Sequence, residues 1–404
     1  MTLNRDTIWF PLAFVLFEFA VYICNDLVQP AMLQVTKDFG VSSAWVPASM
    51  SFFLLGGACL AWFLGPLSDR LGRRKVLLWG VASFVLSCFA ILSAQSIEQF
   101  ILWRFLQGIG LTFIAAVGYA AIQESFAERD AIKVMAIMAN ISLIAPLLGP
   151  ILGAWMIEYV SWRWGFIGIG VVALCSWLGL LRHMPKAPPA VKELPLKQVI
   201  QDFKDVLSNR QFMALSLSLP MVSVPLILWI ALSPVILVEE MGLSNIQYGW
   251  SQVPVLGSLI IGNILLIRLV DRLPVGRTVQ LALPLMFFGA CVMVIGLFWQ
   301  PLQLVCLLLG MSLIAFGEGC SFAVLYRFSL MASEVSKGTV AAAVSIMMLL
   351  VFFAMIELVR VLYQSFSLPA YVWACVVVLA LWFTVPRKVL AKRMQQATQD
   401  PSSL

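Results

Sequence analysis

The chain has 404 residues, of which 61% are hydrophobic and 11% charged, with a formal net charge of +6. Soluble domains carry about 25% charged residues, so a water-soluble globule is excluded and an integral membrane protein is implied. The single histidine, His183, is read as a loop residue and leaves no histidine relay; the eight cysteines show no ligand spacing and read as packing residues rather than disulfides or metal ligands.

Apolar stretches of about 20 residues, the length that crosses a bilayer, recur with short interruptions. In chain order they lie at 9–35, 46–66, 76–95, 99–123, 132–158, 163–182, 211–238, 246–268, 278–299, 302–326, 338–363 and 368–386. The opening "MTLNRDTIWFPL" has one arginine and no small-residue cleavage site, so it reads as the start of a retained helix rather than a signal peptide. Twelve spans put both termini on one side. Segments on that side hold 22 of the 26 lysines and arginines, the opposite loops hold only Lys37 and Arg163, and Arg104 and Arg360 fall within spans. By the positive-inside rule both termini are expected in the cytoplasm. The positive charge is then a topology signal and not a nucleic-acid patch.

The longest polar stretch, "RHMPKAPPAVKELPLKQVIQDFKDVLSNR", divides the chain into a six-helix bundle (1–182), a cytoplasmic linker (183–210) and a second six-helix bundle with a short cytoplasmic tail (211–404). An offset of 202 residues carries Trp9 onto Gln211 and "DRLGRR" (69–74) onto "DRLPVGR" (271–277). The expected architecture is an all-α polytopic membrane protein made of two six-helix repeats around a central cavity, with substrate bound near the midplane.

The first span contains "FEFAVYICNDLVQP" (17–30), whose two acids each cost about 2.5–3.5 kcal/mol near a membrane centre. At about 100° per residue, Glu18, Tyr22, Asn25, Asp26 and Gln29 share an arc of about 100°. One polar stripe on an apolar helix faces the bundle interior, because lipid offers no partners. These acids either bond neighbouring helices or form a proton or cation site; the second reading is preferred, since the other five spans of that half add only one arginine. Burial favours the neutral form of a carboxylic acid, so such a group can hold a proton and release it when substrate arrives. Eight residues set the two acids about 12 Å apart along the axis, at different depths.

After the second span comes "GPLSDRLGRRKVLL" (65–78), read as a loop whose Gly65 and Gly72 allow a tight turn and whose Asp69 can meet a helix N-terminus or Arg70 and Arg73. The fourth span supplies "WRFLQGIGL". Arg104 lies there at about the depth of Asp26 and is expected to tune the proton affinity of the acids, directly or through Gln107. Snorkelling to the interface is the alternative. In the fifth span, "ANISLIAPLLGPILGA", Pro146, Gly149, Pro150 and Gly153 reduce the bulk of one helix face. In the second half, Glu318 of "AFGEGCSF" has no local partner and reads as an accessory cation or proton site or a lining group, while Glu357 and Arg360 at i, i+3 neutralise each other. "SKGT" (336–339) lacks the Gly-x4-Gly-Lys order of a nucleotide loop, which argues against ATP-driven transport.

Taken in order, "LFEFAVYICNDLVQPAML", "LGPLSDRLGRR", "RFLQGIG", "GYAAIQESFAERDAIKVMA", "IAPLLGP" and "SEVSKGTVAAA" resemble the bacterial twelve-helix drug:proton antiporters of the major facilitator superfamily. The resemblance implies that Glu18 and Asp26 bind protons and recognise substrate, that Arg104 is the essential fourth-helix arginine, and that Gly65, Asp69, Arg70, Gly72 and Arg73 belong to a gating loop that latches the outward-facing state. It also implies that Pro146, Gly149, Pro150 and Gly153 form the motif that marks antiporters. Tyr22, Asn25, Met50, Gln107, Ser142 and Pro146 correspond to cavity-lining positions. The implied activity is export of chloramphenicol and other lipophilic neutral or cationic compounds in exchange for protons, across the bacterial inner membrane, by a monomer without cofactor. At Glu318 the chain departs from one transporter of that group, which has an apolar residue there, so the second half's specificity does not carry over. The competing functions are a symporter or exporter for a small metabolite and a membrane-embedded enzyme. The enzyme would need a nucleophile–base or metal constellation that the sequence does not display.

Overall fold

The computed structural model describes residues 7–186, 196–270, 272–274 and 276–384, and every regular element among them is helical. Nine helices are long and apolar enough to cross a membrane, a bent pair spans 43–71, and two shorter apolar helices cover Ile144–Tyr159 and Leu368–Phe383, all counted among the described residues. Each of the twelve predicted stretches falls on one of these. The tail after Thr384, most of the predicted linker's first half, and Asp271 and Val275 of the second "DRLPVGR" motif lie outside the described residues.

The helices end where local chemistry ends them. α1 (Trp9–Val28) stops before Pro30, whose ring and missing N–H oppose further helix, and α2 (Met32–Asp38) resumes after a short turn. The single span expected at 9–35 is therefore two helices. α3 (Val46–Cys59) and α4 (Ala61–Leu71) meet at Leu60 with a bend of 45°. α4 runs on to Leu71, so Gly65, Asp69 and Arg70 are helical and not in a loop, and a side chain at Gly65 would meet open space. Of the two glycines expected to make the turn, only Gly72 does so. Its φ of 90° admits α5 (Arg73–Ala90) directly behind α4.

α6 (Ile97–Thr112) starts at Ser96, whose Oγ accepts from the Gln99 N–H at 3.4 Å, and continues through a π-helical turn, Phe113–Gly118, into α7 (Tyr119–Ser125). α8 (Glu128–Tyr159) and α9 (Trp162–His183) complete this half. His183, expected in a loop, closes α9 and stacks on Trp9 at 6.0 Å between ring centroids.

Inside the expected linker stands α10 (Leu196–Ser208), which the sequence reading did not anticipate. Val199, Ile200, Phe203, Val206 and Leu207 recur at helical spacing, but the polar composition around them hid the period. Asn209 then caps α11 (Arg210–Pro234), its Oδ1 accepting from Gln211 and Phe212 N–H at 2.9 and 3.1 Å. After a second π-helical turn, Val235–Glu240, follow α12 (Asn245–Leu269), α13 (Arg277–Phe298), α14 (Gln303–Leu330), α15 (Lys337–Phe366) and α16 (Leu368–Thr384).

The chain divides into two compact units, Met1–Val199 with Leu243–Gly249 and Ile200–Gly242 with Trp250–Leu404. Each unit repeats the other's devices. Gly276, with φ 89°, precedes Arg277 at the start of α13 as Gly72 precedes Arg73 at the start of α5. In the first unit, Cβ atoms at Gly56 and Gly108 would fall 1.9 and 1.8 Å from the Phe105 and Phe53 carbonyl oxygens; in the second, Gly262 and Gly319 stand 2.3 and 2.4 Å from the Phe316 and Leu259 oxygens in the same way. The duplication read from two short motifs thus extends to which backbones touch.

Gly72→Ala puts a Cβ on a residue with φ 90° and ψ 133°, a sparsely populated region for L residues, and is expected to cost about 1–3 kcal/mol. The check is thermal unfolding of the purified protein in detergent, in which this variant melts below the wild type.

Candidate functional site

The polar stripe of α1 lies along the arc between its packing contacts with α8 and with the α6–α7 rod. With Glu18 as origin and about 100° per residue, the side of α1 that carries Asp26, Leu27 and Pro30 is met by α8, through Gly149 and Gly153. The adjoining side carries Ala13, whose carbonyl accepts from the Ser176 Oγ of α9 at 2.7 Å. The next side carries Phe14, Val21 and Cys24, which meet Gly118, Gly110 and Arg104 on the α6–α7 rod. Between the rod and α8 runs the arc from about 340° to about 80°, which holds Glu18, Tyr22, Asn25 and Gln29 and ends at Asp26 on the α8 side. All of these but the half-buried Tyr22 are buried. Two carboxyl groups are thus enclosed by protein on a helix that has spent its other faces on packing.

Arg104 is fully buried, which sets aside the snorkelling alternative. Its Nε donates to Ser49 Oγ at 3.0 Å, Nη1 to Gln107 Oε1 at 2.8 Å and to Cys24 Sγ at 3.3 Å, and Nη2 to Asn25 Oδ1 at 3.3 Å. The guanidinium also lies over the Phe53 ring, 4.6 Å from its centroid. None of these bonds ends on a carboxylate. The link to Asp26 is one residue longer: Asn25 Nδ2 donates to Asp26 Oδ1 at 3.1 Å. The route from arginine to acid therefore passes through the Asn25 amide. Gln107 holds the arginine from the other side, with its Nε2 donating to the Ser87 carbonyl at 3.4 Å. A buried charge needs hydrogen bonds on every donor, and only a planar fork of five N–H groups can serve Ser49, Cys24, Gln107 and Asn25 together. Cys24, read from sequence as packing, is one of those partners.

Glu18 is held differently. Its Oε1 accepts from the Tyr119 hydroxyl at 2.7 Å, and the Tyr119 ring meets Phe14 edge-on at 6.4 Å. The two acids thus sit in separate settings, one beside a phenol and one an amide away from a guanidinium.

The Pro-Gly motif of α8 lies against the Asp26 end of the stripe. A Cβ at Gly149 would come within 2.4 Å of Asp26 Cβ, and one at Gly153 within 2.2 Å of the Leu27 carbonyl oxygen and 2.7 Å of Pro30 Cγ. Pro150 is buried and Pro146 half-buried. The small residues read as thinning one face of α8 are the reason its backbone can touch α1 beside an acid. Met50 is buried on α3, next in sequence to Ser49, the partner of Arg104; the side chain of Ser142 lies outside the described residues.

At the junction of α4 and α5, Arg73 is ion-paired with Asp69 and, at 2.8 Å, with Glu124 of α7; it also donates to Ser68 and to the Gly65 carbonyl. Arg70 is exposed. Pairs this exposed contribute about 0–1 kcal/mol each, so Arg73 acts as a tie between three helices more than as a source of stability. Sequence reasoning missed Glu124, which is 51 residues away. In the second unit, Glu318 is buried on α14 beside Ser223 of α11, and Glu357 accepts from Arg360 at 2.7 Å as the i, i+3 spacing suggested.

Comparison with known proteins adds the following. The family model of the Major Facilitator Superfamily matches residues 14–356. The chain is 62% identical over 394 residues to the chloramphenicol resistance protein CraA of Acinetobacter baumannii, covering 98% of this chain and 95% of that one. It is 48% identical over 362 residues to the multidrug transporter MdfA of Yersinia pestis, covering 89% and 88%. Among solved structures, a bacterial homologue of the human lysosomal transporter Spinster aligns with a TM-score of 0.70 at 16% identity, over 97% of this chain and 98% of that one. The human organic anion transporter MFSD10 aligns with a TM-score of 0.69 at 18% identity, over 96% and 100%. At those identities the structures speak for the fold alone.

Gly149→Ala forces a methyl group into the α1 contact at Asp26, and overpacking of this kind costs about 1–3 kcal/mol. Gly65→Ala, which points into open space, serves as the control. A lower melting temperature is expected for the first variant and an unchanged one for the second.

Proposed function

The chain belongs to the Major Facilitator Superfamily, and from that premise we propose that it exports lipophilic drugs, chloramphenicol among them, in exchange for protons. The names of its relatives, a chloramphenicol resistance protein and a multidrug transporter, support the cargo. The observation that carries the chemistry is the chain of bonds from buried Arg104 through Asn25 to Asp26. Burial and a fixed positive charge act on a carboxyl group in opposite senses, which suits a group that must take up and give up a proton. A protonated Asp26 is a hydrogen-bond donor and an ionised one accepts only, so proton and drug compete for the same oxygens. Glu18, bonded to Tyr119, is the second site of that competition.

The cycle is alternating access. Protons load Asp26 and Glu18 from outside; a drug from the cytoplasm or inner leaflet displaces one and leaves on the far side. One charge moving across the membrane contributes about 2.3 kcal/mol per 100 mV, or roughly fifty-fold accumulation of a neutral drug. A monovalent cation exchanged for one proton is driven by the pH difference alone. Arg73, tied to Asp69 and Glu124, is the gating element, and Glu318 is an accessory cation site in the second unit. The setting is the bacterial inner membrane with both termini in the cytoplasm, the working unit a monomer that uses no cofactor. The exposed apolar residues Leu86, Ile267 and Phe298 suit contact with lipid.

Purified protein in lightly buffered detergent should release protons when chloramphenicol is added. Asp26→Asn should lose most of that release, Glu18→Gln should lose part, and the double variant should neither release protons nor lower chloramphenicol accumulation in cells. Wild-type protein that exchanges no acid equivalents with the drug across pH 6 to 8 would falsify the antiport reading. Arg104→Lys keeps the charge but cannot span Ser49 and Asn25, and export should fall at least about tenfold. Glu318→Gln should reduce ethidium export while leaving chloramphenicol export within about two-fold; equal effects on both would remove Glu318 as a cation site.

A further inference from the structure

The transport cycle above leaves two residues of the α1 stripe unused, the half-buried Tyr22 and Gln29. Gln29 is fully buried, and among the described residues neither its Oε1 nor its Nε2 has a hydrogen-bond partner. A buried polar group without a partner costs about 1–3 kcal/mol, and Gln29 carries two. The other fully buried glutamines do not share this. Gln107 accepts from Arg104 at 2.8 Å and donates to the Ser87 carbonyl, and Gln252 accepts from the Trp229 indole at 2.8 Å. Gln34, five residues beyond Gln29, accepts from the Trp162 N–H at 3.0 Å. A methionine or leucine at position 29 would fill the same space without that cost.

Its heading groups it with the two acids. The backbone at Gln29 is still helical, with φ −55° and ψ −50°, so the 100° rule applies and places Gln29 about 20° from Glu18. That is the middle of the arc that runs between the contacts of the α6–α7 rod and those of α8, the arc that also holds Glu18, Asn25 and Asp26. Gln29 lies three residues from Asp26, a rise of about 4.5 Å.

We propose that Gln29 is a specificity residue that recognises the uncharged polar groups of substrates. A primary amide offers one acceptor and two donors, the complement of a ligand amide or hydroxyl. Asp26 answers charge or a proton, and Gln29 answers hydrogen-bonding groups that carry no charge. A site with buried hydrogen-bonding groups discriminates against ligands that cannot pair with them, so compounds without donors or acceptors gain nothing from Gln29. This inference rests on the drug-export reading.

The test measures dissociation constants of purified wild type, Gln29→Met and Gln29→Leu for chloramphenicol, which has an amide and two hydroxyls, and for tetraphenylphosphonium, which has no hydrogen-bonding group. Both variants should bind chloramphenicol at least about tenfold more weakly, about 1.4 kcal/mol, and tetraphenylphosphonium within two-fold of wild type or tighter. Without ligand, Gln29→Met should melt at or above the wild-type temperature, since it removes an unmet amide. Unchanged chloramphenicol binding, or equal weakening for both compounds, overturns the proposal alone. A lowered melting temperature for both variants also overturns it, because the amide is then part of the fold. Wild-type protein that binds neither compound overturns the export reading and this inference with it.

Discussion

A guanidinium with no access to water governs the first unit. Removing a charge from water is so costly that every donor on it must be met, and the fold meets Arg104 with a hydroxyl, a thiol, two amides and an aromatic face. These partners come from α1, α3 and α6, so satisfying one side chain fixes the relative placement of three helices. Because no carboxylate closes the set, the positive charge is not cancelled locally. Its hydrogen-bonded link to Asp26 runs through the Asn25 amide, which accepts from Arg104 and donates to the acid.

The rest of the unit can be understood as support for that cluster. α8 comes close enough to back Asp26 only because Gly149 and Gly153 carry no side chain. α9 secures the opposite side of α1 through Ser176 and Ala13. The α6–α7 rod supplies both Arg104 and, beyond its π-helical turn, Tyr119 for Glu18. One rod therefore serves both acids, although they are eight residues apart on α1.

Much of this was legible in the sequence. The membrane class, the helical spans and the acid stripe follow from hydrophobic length and the 3.6-residue period, both strong signals in a chain 61% hydrophobic. What escaped was whatever depended on tertiary distance. Ser49, Cys24 and Tyr119 are unremarkable in a membrane helix, and nothing local marks them as partners of Arg104 or Glu18 from 55, 80 and 101 residues away. The bridging role of Asn25 is a matter of orientation, which spacing does not record. α10 was hidden by charge, and the break at Leu60 has neither glycine nor proline at the bend itself. Charged residues at the end of α4 were taken for a loop because hydropathy fades before the helix does.

The seam between α1 and α8 has a mechanical meaning. Where side chains interdigitate, a small displacement can be absorbed by a change of rotamer. At Gly149 and Gly153 nothing is available to turn, since peptide groups of one rod press on the Cβ and carbonyl of the other. Packed interiors of this density transmit strain instead of damping it. A displacement of the Asp26 backbone therefore bears directly on a 32-residue rod, which makes the bare stretch of α8 a stiff coupling rather than merely a thin wall.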